Sequence, residues 1–348
     1  MAIYGNTIGE VAEPAVLDGL IDSQDDQSTI EQTIDPALIE EVRTGLQQTP
    51  KRLSSRFFYD AEGSRIFQDI MHAPEYYLTR SEYEILDSYK ADLLDLFAVG
   101  DRSFDLVELG AGDGLKTKLL LSHFVEEQAD FAYAPVDISV DALNGLVADV
   151  RRSWPSLRLN ARHDDYFNAL AQLSEESDSR RVVLFLGSNI GNFTPDEAVD
   201  FYRQLHDRLR PGDLVLTGID LQKHPAVIHA AYNDRQGLTR AFNLNLLRRL
   251  NRDLDANFDL AAFDHYETYN PETGEARSYL VSQKAQTVRI DTLDMTVPFA
   301  YGEIIHTEIS RKFTPAQIEQ LAQQTGFRVV KSFTDCKGYF TDVVFEKV

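Results

Sequence analysis

From Phe104 onward the chain repeats one unit, a short apolar run of strand length followed by a stretch with helical spacing. The runs are FDLVELG, AYAPVDIS, RLNARHDDY, RVVLFLGSN and GDLVLTGIDL. Strands separated by helices cannot pair as tight hairpins. Each must cross over a helix and re-enter beside an earlier strand, which gives a parallel sheet with helices on both faces. The predicted class is therefore α/β, with a doubly wound, Rossmann-like sheet. Helix punctuation agrees. In TPDE, Thr194 is a predicted N-cap, with Pro195 in the first turn and Glu197 closing a capping box. The device recurs at Thr314, Pro315 and Gln317, and Gly326 ends that helix.

The alternation breaks between about His224 and Phe313. There AYNDRQGLTRAFNLNLLRRLNRDL reads as helical, while ARSYLVSQKAQTVRI and EIIHTEIS read as strands of a second, smaller α+β unit. The end, FRVVKSFTDCKGYFTDVVFEKV, reads as two closing strands around a turn at Lys337 and Gly338. Before the sheet, a helix is expected in DPALIEEVRTGLQQTP, capped by Asp35 with Pro36 at its first position. Ile66, Phe67, Ile70 and Met71 share a helical face, Pro74 marks a break, and a further helix is expected from Thr79 or Ser81. Ten Asp and Glu and no Lys or Arg precede Arg43. Residues 1–30 are read as a loose acidic arm.

A formal net charge of -22 opposes binding to nucleic acid or to an anionic membrane surface. No run approaches the roughly 20 apolar residues of a membrane span, and no secretory leader opens the chain. Cys336 is the one cysteine, so neither a disulfide framework nor a cysteine zinc site is expected, and a cytoplasmic location is. His163, His206, His224, His229 and His306 lack the spacing of a metal-ligand pair on one element, and no metal site is expected.

VELGAGDGLKTKLLL carries the strongest chemistry. A buried strand runs into Gly110, Gly112 and Gly114, with a helix expected from Leu115. Glycines there let the backbone turn sharply and let a ligand approach it, at the carboxyl end of a strand where such sheets bind ligands. Asp137 ends the next strand, placed to accept from two ribose hydroxyls. A dinucleotide site wants a third glycine where Leu115 stands; G-x-G-x-G after Glu108 fits S-adenosylmethionine better. In RHDDYF, Asp165 is placed for the adenine amino group, with Tyr166 beside it. A dinucleotide site or a merely structural turn stays open on the motif alone. In IIHTEIS, strand alternation puts Ile304, His306, Glu308 and Ser310 on one face, and Ile305, Thr307 and Ile309 on the other.

FFYDAEGSRIF, PEYYLTRSE, ELGAGDGLKTKLLL, FLGSNIGNF, AYND with AFNLNLL, and HTEISRKF occur in this order. From about Thr49 onward the chain resembles the histidine-specific Nα-methyltransferases of ergothioneine biosynthesis. The resemblance implies transfer of three methyl groups from S-adenosylmethionine to the α-amino group of L-histidine, giving hercynine. It implies a class I methyltransferase domain, here 81–222 plus 313–348, and a substrate domain, here 31–80 plus 223–312. The donor site implied is Gly110, Gly112, Lys116, Asp137, Asp165 and Tyr166. The substrate site implied is Tyr76, Gly187 through its carbonyl, Asn192 and Tyr232, with Glu308 and Ser310 reading the imidazole. Tyr59 is implied as a water-linked contact, and with Asn192 and Tyr232 it is the expected catalytic group. The protein is expected to act as a monomer. Two departures stand out: Asn189 where the family often has Thr, and Ser278 with Tyr279 where larger apolar residues are familiar. A sister enzyme acting on another amino acid or amine, a dinucleotide-dependent oxidoreductase and a ligand-binding protein are the alternatives.

Overall fold

The computed structural model describes residues 36–99 and 103–348. The acidic arm and the Asp35 cap lie outside the described residues. The chain opens with α1 (Pro36–Gly45), β1 (Lys51–Arg52), α2 (Ala61–His72) and α3 (Tyr77–Phe97). α3 starts earlier than Thr79 or Ser81, because Tyr77 and Leu78 are themselves buried and belong to its packed face. The alternating region then gives β2 (Phe104–Leu109), α4 (Thr117–Glu126), β3 (Phe131–Asp137), α5 (Val140–Ser153), β4 (Arg158–Leu159), β5 (Arg162–His163), α6 (Tyr166–Glu176), β6 (Arg180–Phe185), α7 (Pro195–Arg208) and β7 (Leu214–Asp220). RLNARHDDY yields only the two short pieces β4 and β5, at the sheet edge beside β3.

The insertion contains α8 (Pro225–Tyr232), α9 (Leu238–Asp253), β8 (Phe263–Asn270), β9 (Glu275–Ser282), β10 (Gln286–Ile290), β11 (Met295–Phe299) and β12 (Ile304–Arg311). The chain closes with α10 (Pro315–Thr325), β13 (Phe327–Thr334) and β14 (Phe340–Lys347). Both capping boxes form, at Thr194 with Glu197 and at Thr314 with Gln317, and Gly326 takes the left-handed conformation that ends α10.

The large sheet runs β13-β14-β7-β6-β2-β3-β4. β2, β3, β4, β6 and β7 are parallel, while β14 runs antiparallel to β7 and β13. From β2 the chain winds outward through β3, then crosses to the other side of β2 as β6. The carboxyl ends of β2 and β6 therefore flank the switch point, where open α/β sheets bind ligands. Val107, Val136, Val183, Phe185, Val215 and Phe345 are among the fully buried residues that pack this sheet against α6, α7 and α10.

The second sheet runs β1-β12-β9-β8, with β12 and β9 antiparallel. After β12 a parallel bridge between Leu221 and Phe313 returns the chain to the large sheet. β12 does not keep strict alternation. His306 lies opposite Tyr279 and Glu308 opposite Ser278, so two steps on β12 match one on β9. Thr307 is the extra residue of this bulge. Its hydroxyl is drawn inward, donating to Asn243 Oδ1 at 2.7 Å and to the Ser278 carbonyl at 3.0 Å. The bulge inverts the pleat, so His306 faces away from Glu308 and Ser310. The expectation that the three share a face is corrected on this ground.

Candidate active site

Gly110, Gly112 and Gly114 all adopt positive φ, at 73°, 54° and 64°. The backbone therefore turns back on itself directly after β2, and α4 begins only at Thr117, two residues beyond the expected Leu115. Asp137 secures the turn. Its Oδ2 accepts from Gly112 N at 2.9 Å and its Oδ1 from Ser139 N at 2.8 Å. A side chain on Gly112 would touch nothing within 4 Å, whereas one on Gly110 would come within 2.8 Å of the Tyr166 hydroxyl. The turn is thus an open cradle closed on one side by Tyr166. Beneath it, Glu108 accepts from the Thr117 and Tyr133 hydroxyls and ties together β2, β3 and the start of α4. Asp165 caps α6 through Oδ1, accepting from Phe167 N at 2.9 Å and Asn168 N at 3.0 Å. That cap fixes the first turn of α6, from which Tyr166 reaches Gly110.

Across the switch point, the loop after β6 is equally bent. Gly187 and Ser188 are both left-handed. The Gly187 N–H donates to Glu82 of α3 at 2.7 Å, and Lys116 pairs with the same carboxylate. The Lys116 ammonium and the Asn189 amide both border Gly187. Through Glu82 and Lys116 the loop at Gly187, with Asn189 beside it, is therefore tied to the segment that follows the predicted glycine turn. Its anchor, Glu82, is a residue that sequence reasoning missed.

The substrate end is built on β12 and α8. Tyr232 ends α8 and shares a hydrogen bond of 2.7 Å with Ser310. Both accept from Lys312, at 2.6 and 2.7 Å, and Lys312 pairs with Asp220 at 2.9 Å. Asp220, at the carboxyl end of β7, also accepts from Tyr77 at 2.8 Å and pairs with Lys223. Burial lowers the Lys223 ammonium to about 8, although Asp220 opposes the shift. Asn192 closes a short 3-10 turn, Asn189–Asn192, that packs against β12. A side chain on Gly191 would press to 2.8 Å on the Arg311 carbonyl, so glycine there lets Asn192 approach the strand that bears Ser310.

Tyr59 links the two ends. It packs edge-to-face on Phe67 and Phe242, each at 5.5 Å. It keeps 46% of its surface open, yet burial pushes its phenol far up, with Glu308 and Tyr166 adding to the shift. Both observations hold if its open face borders a hollow inside the protein. Tyr76 stands edge-on to Tyr232 at 6.2 Å, and burial raises its phenol as well. Burial pushes Tyr166 up to about 12, with Asp137 contributing. Burial also brings Glu308 up to about 7, against the pull of Lys312. Its carboxylate makes no hydrogen bond among the described residues. An unpaired, half-buried carboxylate invites a donor from a ligand.

The model of the histidine-specific, S-adenosylmethionine-dependent methyltransferases matches residues 38–347. The chain belongs to that family. As a member of this methyltransferase family it is an enzyme that uses S-adenosylmethionine, and the open glycine cradle fits that donor. It is similar to the histidine N-alpha-methyltransferase of Mycolicibacterium smegmatis, with 38% identity over 304 residues, covering 87% of this chain and 93% of that one. It is also similar to ergothioneine biosynthesis protein 1 of Schizosaccharomyces pombe, at 27% identity, covering 87% of this chain and 40% of that one. The L-tryptophan methyltransferase of Psilocybe serbica is 26% identical, covering 88% of this chain and 91% of that one. No helix among the described residues is long and apolar enough to cross a membrane. Among the described residues one group with metal-ligand spacing, Glu84, Asp335 and Cys336, gathers at the turn between β13 and β14. Its carboxylates already hold the β13–β14 turn, accepting from Cys336 N, Tyr339 N and Phe340 N.

Proposed function

We propose that this methyltransferase carries three methyl groups to the α-amino group of L-histidine, releasing hercynine for ergothioneine biosynthesis. The observation that carries the reading is the placement of Glu308 and Ser310 on one face of β12, with Ser310 bonded to Tyr232. A carboxylate and a hydroxyl spaced along a strand match the two nitrogens of an imidazole. An indole offers one N–H and can engage only one of these two groups.

Bound S-adenosylmethionine supplies an electrophilic methyl group. Gly110, Gly112, Lys116, Asp137, Asp165 and Tyr166 would hold it at the first glycine turn. Asn192 and Tyr232 would fix the substrate carboxylate, Tyr76 would wall the pocket, and the Gly187 carbonyl would receive the amine. Orientation of this kind contributes about 7–11 kcal/mol in well-aligned intramolecular reactions. The amine must be neutral to attack. Tyr59 is too weak an acid to serve as a phenolate base, so its hydroxyl would relay the proton to water, accepting one hydrogen bond while donating another. Residues 31–80 and 223–312 would act as the substrate domain on the methyltransferase domain of 81–222 and 313–348, in a cytoplasmic monomer.

Incubation with histidine and S-adenosylmethionine, followed by mass spectrometry, tests the reading. A product carrying three added methyl groups on the α-nitrogen is expected. Arrest after one methyl group, or no reaction with histidine, contradicts it.

A further inference from the structure

Glu267 is 3% exposed, and none of the roles above uses it. It lies on β8 opposite Ser278 of β9, and Ser278 lies opposite Glu308 of β12. Directly opposed residues share a face, so the three form one row across the sheet, with the smallest side chain in the middle. Strands lie about 4.8 Å apart. The backbones of the two glutamates therefore stand about 10 Å apart with only Ser278 between them. Glu267 Oε2 accepts from the Ser278 hydroxyl at 2.7 Å. Glu267 Oε1 is buried without a hydrogen bond among the described residues, and an unmet buried acceptor is costly. Burial pushes the Glu267 carboxyl up to about 8, and the Glu308 charge adds to the shift.

The cations nearby are committed elsewhere. The three Lys312 donors go to Asp220, Tyr232 and Ser310. Arg240 of α9 pairs with Asp264 at 2.6 Å. His265, on the same strand, turns its ring to the Tyr232 carbonyl at 3.0 Å, and burial keeps it neutral-leaning. Lys312 acts on Glu267 and Glu308 only through space, and no cation among the described residues hydrogen-bonds either carboxylate, which leaves that place to a ligand.

We propose that Glu267 is a second recognition carboxylate which, with Glu308, makes the pocket take histidine with its ring as an imidazolium. The proposal rests on the histidine reading above. Hydrogen-bond polarity supports it. Tyr232 and Ser310 both accept from Lys312 and bond to each other, so one of their two hydroxyl protons faces outward. A protonated ring donates to Glu308 and to Ser310; Ser310 then donates to Tyr232, and Tyr232 donates to the substrate carboxylate. An unprotonated ring nitrogen takes the Ser310 proton, Tyr232 turns to Ser310, and the substrate carboxylate loses its Tyr232 donor. With Glu308 ionised, only the cation satisfies all three groups. As histidine binds, the ring takes up a proton from water and Glu267 releases one to water, so the complex gains no net proton while the carboxylate row faces a cation.

Nitrogen NMR of ring-15N histidine bound to the enzyme with S-adenosylhomocysteine at pH 8 tests this, since the free ring is neutral there. Both ring nitrogens should carry imidazolium shifts in the wild type. Glu267→Gln keeps a partner for Ser278; it should return the ring to a neutral form and weaken histidine at least tenfold, with S-adenosylhomocysteine affinity unchanged. A neutral ring in the wild type, or an imidazolium that survives Glu267→Gln, overturns the proposal while leaving histidine as substrate. Failure of the wild type to bind histidine overturns the substrate reading itself.

Discussion

Lys312 and Asp220 form an ion pair of 2.9 Å in which neither side chain keeps any accessible surface. The pair lies between β12 and the carboxyl end of β7, and it joins the insertion to the large sheet. Breaking a buried pair by removing one partner costs about 3–5 kcal/mol. Asp220 would still hold Tyr77 and Lys223, so Lys312→Met should cost about 3 kcal/mol in urea denaturation. It should also raise the KM for histidine at least tenfold, because Tyr232 and Ser310 lose their shared donor. An unchanged KM in a folded variant contradicts the positioning role.

Glu308 should govern side-chain recognition without touching the methyl donor. Glu308→Ala should weaken histidine by about 1.5–3 kcal/mol, as expected for a hydrogen bond to a charged group. S-adenosylhomocysteine should bind as before in the same calorimetric series. The pH sense follows from the raised carboxyl. Glu308 is ionised above about 7 and protonated below it, so histidine affinity should fall as the pH drops through 7. In Glu308→Gln that fall should vanish; its persistence would assign the titration to another group.

The donor cradle should tolerate no side chain at its closed end. Gly110→Ala places a methyl group 2.8 Å from the Tyr166 hydroxyl, at φ 73°. S-adenosylhomocysteine affinity should drop at least tenfold, with a stability loss of about 1 kcal/mol from the left-handed backbone. Pairing the change with Tyr166→Phe should restore part of the affinity by removing the clashing oxygen.

His306 tests the bulge. Its ring packs on Tyr279 at 5.3 Å, in a hollow also lined by Arg52 and Arg277. His306→Ala should leave kcat/KM for histidine within about threefold, a change near 0.5 kcal/mol. A loss comparable to that of Glu308→Ala would place both side chains in one pocket and refute the inverted pleat.

The pattern of apolar runs was enough to foresee the parallel sheet, because β2, β3, β6 and β7 are largely buried on both sides and each carries a mostly hydrophobic run. Thr194 and Thr314 marked their helices for an equally local reason, since a capping box lies within four residues. Tertiary features were harder. The bulge at Thr307 is held by Asn243 and the Ser278 carbonyl, and neither is near in sequence, so simple alternation misplaced His306. Lys312 belongs to no local pattern that marks it; only its burial against Asp220, 92 positions away in the chain, gives it a role. Glu82 lay hidden in an amphipathic helix, and Glu267 in β8, a segment the sequence reading did not assign to a strand. The glycine turn, by contrast, was legible because positive φ is a demand on residue type itself.

The most direct test is calorimetric titration of histidine and of tryptophan into the enzyme saturated with S-adenosylhomocysteine. Histidine should bind at least tenfold more tightly, since only an imidazole engages both Glu308 and Ser310. Tryptophan binding as tightly as histidine, or more so, would contradict this.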